Sequence, residues 1–569
     1  LISRSPRLRQ LAALLVALNG AFGILSAWLV HHPARFTLLA HHLPVPLLRG
    51  SWLTGVLAGA VQLFLAWSLS RRKWQAWRIV VVVLLFSAGA QLLRELHYGQ
   101  AAFSLGLLLL LLVLKPQFTA ASDPPSVRHG ALVFLGAALF TYLYGLLGFY
   151  LLDRHFHQNF NLLDASRQTL AFLAWLDTPA LARPNLLARW FLDSLAVIEA
   201  GGLAYGLVMV LQPVVYRRTV LAAERERARG ILERHGRSSL AHLTLLPDKT
   251  YFFSRSGQSF AAYTLVGNVA VALGDPVGPE EDIPRLISEF RDTCGENDWY
   301  PVFYQTLPDH LPGYHTAGFK SLKIGEEAVV ELAGFSLAGS RRKSLRQSVG
   351  RMTRLGYTTE LLEPPLGDDT LARLKEVSDQ WLRLQTGGEK RFSLGWFDPS
   401  YLKPCPVMVV LDATGRFQAF ANLIPEYRRN EGTIDLMRRR SAENGLMDML
   451  FIRLIEHFRE RGYETFNLGL CPLAGVGDEP GAGLQERAAR FFYQHFNRLY
   501  SFKGLRRFKE KFDPCWEPRY LIYNSALALP KIAVAVVRAN AGGSLLTYAG
   551  AWLEKVKSRR AASTRLLKS

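Results

Sequence analysis

The apolar residues of this chain are crowded into its first third, and that crowding restricts the fold more than any motif does. Runs rich in Leu, Val and Ala recur at 8–30, 47–69, 76–93, 101–114, 130–152 and 192–211. A helix needs about 20 apolar residues to cross the hydrocarbon of a bilayer, and most of these runs approach that length. Backbone amides cannot face lipid unpaired, so six helical spans are the expectation. The segment between the fifth and sixth runs contains 166–176, which reads equally as an interfacial or re-entrant helix or as an ordinary extramembrane one. Arg4, Arg7 and Arg9, then Arg71, Arg72, Lys73 and Arg78, then Lys115 and Arg128, then Arg217 and Arg218 fall on one side of such a bundle. Basic loops stay cytoplasmic, so both termini are expected there. Gln62, Gln91 and Glu199 are too few polar positions to argue for a transport path.

After about Val215 the composition turns polar. Across the chain 67 Lys and Arg face 47 Asp and Glu, a formal net charge of +20. This favours anionic partners, lipid headgroups or nucleic acid, without choosing between them. Cys294, Cys405, Cys471 and Cys515 lack metal-ligand spacing and imply neither zinc nor a disulfide framework. There is no phosphate-binding GxxxxGK[ST] loop, no HExxH and no GxSxG. The His31-His32 and His41-His42 pairs read as loop residues and not as a metal site.

The polar part reads as mixed α/β. Strands are expected at 251–254, 260–266, 269–273, 301–305, 321–324 and 328–331, with a helix over 282–297 after the turn Gly274-Asp275-Pro276-Val277-Gly278. A second set follows: a helix at 369–384, a hairpin of 407–412 with 416–423, a strand at 432–437, a helix at 445–461, a strand at 465–468, a helix at 491–497 and a strand at 520–523. Two successive sets suggest tandem related units. The resulting division is 1–215 for a six-span membrane domain, 216–236 for a helical linker, 237–365 and 366–523 for two related domains, and 524–569 for amphipathic helices with a basic tail.

Four stretches are candidates for chemistry. Residues 340–357 hold Arg341, Arg342, Lys343 and Arg346 on a helix whose stripe is Leu345, Val349 and Met352. Guanidinium groups at that density suit phosphate, although a solvated basic helix looks the same. In 386–397, Glu389 and Lys390 follow paired glycines and could enter a cleft or simply form a flexible loop. In 433–440, Asp435 and Met437 are expected on one face of a strand, with Leu436 and Arg438 on the other. Asp435 is costly to bury alone, and serves either proton transfer or a structural ion pair. Asn467 ends a strand before glycine-punctuated turns and either joins a site or ties down the loop. Lys503, Arg506, Arg507, Lys509, Lys511 and Arg519 interleave with Phe502, Phe508, Phe512, Trp516 and Tyr520. They form either a phosphate cradle or a core with a basic rim.

With these residues in view, the chain resembles the phosphatidylglycerol lysyltransferase, or multiple peptide resistance factor, family. The likeness lies in 387–397, Asp435 to Arg438, 466–472 and above all FKGLRRFKEKFDPCWEPRYLIY at 502–523, within a body of about 237–523. The resemblance implies a tandem acyl-CoA N-acyltransferase-like fold beside a multi-pass helical membrane domain. It implies an aminoacyl-tRNA donor and phosphatidylglycerol of the anionic membrane as acceptor, in the bacterial cytoplasmic (inner) membrane with the catalytic domain cytoplasmic. Cationic-peptide resistance would follow from the masked charge. The donor ester is already activated, so no cofactor is implied, and a homo-oligomer is compatible. Asp435, Arg438 and Lys509 would be catalytic, with Glu389, Lys390, Asn467, Arg506, Lys511 and Arg519 on donor or lipid. The basic positions Arg341, Arg342, Lys343 and Arg346 would hold tRNA phosphate. The residues alone leave two alternatives: a transferase on another membrane acceptor or using acyl-CoA, and a noncatalytic membrane-bound nucleic-acid receptor.

Overall fold

The computed structural model describes residues 6–29, 45–93, 98–118, 124–156, 160–173, 186–210, 221–384, 389–425, 427, 430–440, 443–472 and 502–542. Two compact units emerge: Leu1–Val215 with Gly295–Trp299, and Tyr216–Cys294 with Tyr300–Ser569.

The first unit is helical: α1 (Pro6–Leu29), α2 (Val45–Ser70), α3 (Trp74–Leu93), α4 (Tyr98–Val113), α5 (Pro124–Leu151), α6 (Leu162–Leu173) and α7 (Leu186–Val210). Each of the six apolar runs falls on one of these helices, and α6 is the amphipathic piece between the fifth and sixth. Two described stretches, Leu8–Leu25 and Leu186–Met209, are long and apolar enough to cross a bilayer. Ala58–Ser70, Trp74–Gly89, Tyr98–Val113 and Leu135–Leu151 are apolar but shorter. Leu14, Phe22, Phe86, Leu109 and Leu135 are each more than half exposed. Inside, Asn19 donates to Gln62 at 2.8 Å, and Ser104 reaches Asn19 at 3.3 Å and Gln91 at 3.1 Å. Apolar outside and hydrogen-bonded polar groups inside is the reverse of a water-facing surface. At the α1–α2 crossing a Cβ on Gly20 would lie 2.5 Å from the Gly59 carbonyl oxygen, so the close approach needs glycine.

The second unit is built on one 11-stranded sheet. Its helices are α8 (Ala222–His235), α9 (Ile283–Glu296), α10 (Leu311–Thr316), α11 (Lys343–Arg354), α12 (Asp368–Leu384), α13 (Pro399–Leu402), α14 (Leu446–Glu460), α15 (Phe502–Glu510) and α16 (Leu529–Asn540). The strands are β1 (Thr250–Phe253), β2 (Phe260–Val266), β3 (Val269–Leu273), β4 (Tyr300–Thr306), β5 (Lys320–Glu331), β6 (Thr358–Leu362), β7 (Val407–Leu411), β8 (Phe417–Ile424), β9 (Glu431–Arg439), β10 (Thr465–Pro472) and β11 (Cys515–Tyr523).

Strand order across the sheet is β1-β2-β3-β4-β11-β5-β10-β9-β8-β7-β6. This is nearly a palindrome of two halves. An antiparallel pair of hairpins leads into a parallel pair, β3 with β4 in one half and β9 with β10 in the other. The closing strand of each half crosses over, so β11 pairs with β4 and β5 with β10, and β5 and β11 pair with each other at the centre. Bulges repeat with the same spacing. Gln305 (φ 66°) interrupts β4 three residues before Pro308, and Gly469 (φ 81°) interrupts β10 three residues before Pro472.

Several details depart from the sequence reading. The two short strands at 321–324 and 328–331 are one continuous β5, because Gly325, Glu326 and Glu327 stay in register with β11. Strand β6 was not expected. It extends the second half beside β7, and α11 buries Leu345 and Met352 in the same core as α14. That half therefore draws on residues before 366. Strand β11 begins at Cys515, five residues before the expected start. The expected helix at 491–497 and the basic tail lie outside the described residues.

Candidate functional site

The bulge in β9 sets the site. Ala421 pairs with Met437 and Leu423 with Ile434, so Asn422 stands opposite two residues, Asp435 and Leu436. The extra residue reverses the alternation. Ile434 and Met437 pack into the core under α14, whereas Leu436 packs with Leu374 of α12 on the other face. Asp435 and Arg438 therefore share the α12 face, in contrast to the opposite faces that strict alternation gives. Asn422, fully buried, accepts the spare Leu436 N–H on Oδ1 at 2.7 Å and so holds the bulge closed.

Asp435 accepts the Gly395 N–H on both carboxylate oxygens at 2.9 Å, and the Tyr401 hydroxyl on Oδ2 at 2.7 Å. Any side chain at 395 would collide with it, since a Cβ there would lie 2.0 Å from Oδ2. Burial pushes the Asp435 carboxyl above its ordinary range, opposed by the Gly395 and Tyr401 hydrogen bonds and by the charges of Arg438 and Lys249. Tyr401 is pushed well up by burial and by Asp435 itself, so its hydroxyl remains a donor.

Glu389 anchors Arg438 at 2.8 Å and accepts the Phe397 N–H at 2.8 Å. The Arg438 guanidinium stacks on Trp381, 4.1 Å from the ring centroid. Its Nη1 is buried and has no hydrogen-bond partner among the described residues. Lys249, wholly buried, pairs with Asp248 at 2.6 Å, and Asp248 accepts the Phe392 N–H at 2.9 Å. Three carboxylates, Asp248, Glu389 and Asp435, thus each fix one amide of the 389–397 segment. Lys390, in that segment, is lowered to about 8 by burial.

A second cluster occupies the centre of the sheet. Arg519 of β11 donates to Glu327 of β5 at 2.6 Å and to Glu517 at 3.1 Å. Asn467 of β10, fully buried, donates to Glu327 at 2.7 Å and to Glu431 at 3.2 Å, while its oxygen accepts Gly469 N–H at 2.8 Å. Ser239 donates to both oxygens of Glu327 at 3.2 Å. Burial works against the Arg519 charge, but Glu327 and Glu517 outweigh it and raise its pKa. Lys509 belongs here and not with Asp435. It donates to the bulge carbonyls of Gly469 at 2.7 Å and Leu470 at 3.2 Å, and burial lowers its pKa.

The other candidates spread over the rim. Arg506 bonds Glu510 and Glu326 and stacks on Trp516; Lys511 bonds Asp448 at 2.9 Å. On and before α11, Arg341, Lys343 and Arg346 are exposed, while Arg342 lies over Phe335 and donates to the Ser336 carbonyl. Sequence reasoning missed Lys249, Tyr401, Trp381, Asn422 and Glu327. None has a local motif; Asn422 comes from the adjacent strand β8 and the others from further along the chain.

Residues 229–523 match the family described as phosphatidylglycerol lysyltransferase, C-terminal. The phosphatidylglycerol lysyltransferase of Bacillus subtilis (strain 168) is 38% identical over 334 residues, which is 58% of this chain and 39% of that protein. That of Staphylococcus epidermidis (strain RP62A) is 34% identical over 355 residues, 62% of this chain and 42% of that protein. The matched region thus spans about two fifths of the length of these curated relatives. Among solved structures, L-PGS from Bacillus licheniformis is similar with a TM-score of 0.51 and 38% identity, covering 55% of this chain and 95% of that one. A C-terminal domain from Agrobacterium fabrum, named for a lysylphosphatidylglycerol synthetase, gives a TM-score of 0.51 and 39% identity over 57% of this chain and 98% of that one.

Proposed function

Because the chain belongs to the phosphatidylglycerol lysyltransferase C-terminal family, we propose that it moves an aminoacyl group from aminoacyl-tRNA to a hydroxyl of phosphatidylglycerol. The observation that carries the reading is the Asp435–Arg438 constellation, which falls inside the family match and gathers an acid, a buried cation and fixed amides on one face.

The reaction is a transesterification. The lipid hydroxyl oxygen bonds to the ester carbonyl carbon, the bond from that carbon to the tRNA ribose oxygen breaks, and the proton of the lipid hydroxyl ends on the ribose oxygen. Nothing is oxidised or reduced. Asp435, made more basic by burial, suits the base, and Tyr401 orients it. Arg438 Nη1, dry and without a partner among the described residues, suits the oxygen that gains charge. Removing such a donor costs about 3–4 kcal/mol of barrier by analogy with acyl-transfer enzymes. Lys509 and Asn467 would shape the β10 turn beside this site instead of touching the reacting atoms. The exposed basic residues around α11 would meet tRNA phosphate.

The helical unit, with its lipid-like exterior, would anchor the enzyme as a multi-pass protein of the bacterial cytoplasmic membrane, where aminoacylation reduces the negative surface charge. The test is the full chain in phosphatidylglycerol vesicles with separately charged tRNAs, followed by mass measurement of the lipids. An aminoacylated lipid that disappears in Asp435→Ala supports the reading, and its absence with every charged tRNA defeats it.

A further inference from the structure

The 389–397 segment, whose amides three carboxylates fix, is also tied to a helix outside the family match. That match ends at Tyr523, and α16 follows at Leu529–Asn540. Ile532, Ala535, Val536 and Ala539 turn one face of α16 into the core, and Phe392 is buried in the same cluster. Phe392 is 1% exposed and has a left-handed backbone, φ 66°. A bulky side chain keeps that conformation only where its surroundings impose it.

Asn540, the last residue of α16, supplies two polar ties. The final carbonyls of a helix lack partners within it, and that of Asn540 accepts the Arg391 N–H at 2.9 Å. Its side-chain Nδ2 donates to the Val536 carbonyl at 2.9 Å, which leaves Oδ1 to accept the Ser393 hydroxyl at 2.5 Å. The residues on either side of Phe392 are thus pinned to one asparagine. Two positions after Ser393, Gly395 gives its N–H to Asp435. Two positions before Arg391, Glu389 holds Arg438. The ties to Asn540 lie between these two contacts, so they set the path of the chain that joins them.

We propose that Asn540 is a positioning residue, which holds 389–397 in the conformation that aims Gly395 at Asp435 and Glu389 at Arg438. Its consequence for rate rests on the transferase reading above.

The test compares Asn540→Ala, Ser393→Ala and the double variant in the full chain, with Val534→Gly on the exposed face of α16 as control. Transfer from charged tRNA to lipid in phosphatidylglycerol vesicles is followed against pH. Each single variant is expected to lower kcat about ten-fold with little change in KM, within the ~100-fold that a ~1 Å misplacement costs. The double variant is expected to lose no more than either single, because all three remove one contact. The Gly395 hydrogen bond favours ionised Asp435, so loosening it should move the acid limb of the profile to higher pH. The other ionisable groups around Asp435, namely Arg438, Lys249, Tyr401 and Cys405, are the same in every variant. Val534→Gly weakens the helix alone and is expected to leave rate and limb in place. Wild-type rates or an unmoved acid limb in both folded singles, or losses that multiply in the double variant, overturn the proposal.

Amide hydrogen exchange separates this proposal from the transferase reading. Peptides spanning 389–397 are expected to exchange at least about ten-fold faster in Asn540→Ala, with those of β7 unchanged. Faster exchange without any lipid transfer by wild type removes the transferase and leaves the clamp. Transfer with unchanged exchange in Asn540→Ala does the opposite.

Discussion

Arg519 and Glu327 meet at 2.6 Å on the two strands that the halves exchange, with side chains 1% and 2% exposed. The pair sits where β11 and β5 run side by side, so it joins the halves at the point of crossover. Glu327→Ala should cost about 3–5 kcal/mol, since it leaves a guanidinium buried without its main partner. Urea unfolding followed by the near-ultraviolet signal of the sheet's aromatics checks this. A change within ±0.5 kcal/mol would mean that Glu517 alone sustains Arg519.

Asn422 holds the β9 bulge, and the bulge alone brings Asp435 and Arg438 to one face. Asn422→Ala should lose about 1–3 kcal/mol, the cost of an orphaned buried amide, and should lower kcat for lipid transfer more than it raises KM. Asn422→Asp, which keeps the acceptor, should recover much of the rate. Purely structural loss would show equal rates per folded molecule in both variants.

Tyr401 favours the ionised form of Asp435 by donating to it. Tyr401→Phe removes that donor, so the Asp435 pKa should rise further and the acid limb of the pH–rate profile should move to higher pH. The profile of kcat against pH reports this directly. An unmoved acid limb assigns it to another group.

Asp275 is raised from 3.8 to about 6, first by burial, against the Leu307 amide, His310, Tyr314 and Arg519. A carboxyl raised on folding favours the native state in its neutral form. That contribution is complete below about pH 4 and is lost as pH rises through about 6. Asp275→Asn should therefore flatten the stability curve between pH 4 and 7, measured by urea midpoints. The same slope in the variant would show that Asp275 does not titrate there.

Much of this was legible in the chain because the signals are local. Six apolar runs became six helices, and the strand-like segments flanking Gly267 and Ala413–Gly415 became hairpins. Residues 282–297 and 445–461 announced helices by one apolar face each. What escaped is what depends on pairing. Glu326 and Glu327 read as a break between strands, yet Glu327 is buried because Arg519, 192 residues away, neutralises it. Asp435 departs from the facing that strict alternation predicts because a bulge leaves no mark in composition. Lys249 carries no mark in its sequence neighbours, yet it is buried beside Asp248, which holds Phe392, 144 residues on. Lys509 sits in a stretch dense with cations, where sequence cannot tell a turn-bracing lysine from one that meets a substrate.

The central claim, that an aminoacyl ester is passed to a lipid alcohol at Asp435 and Arg438, is tested most directly by isotopic transfer. The full chain in phosphatidylglycerol vesicles is given tRNA charged with labelled amino acid, and label in the lipid phase is counted for wild type, Asp435→Asn and Arg438→Lys. The account predicts label in phosphatidylglycerol for wild type and a loss of about 100-fold or more in each folded variant, the scale of removing a transition-state donor or base. Label that enters the lipid equally well in both variants would contradict it.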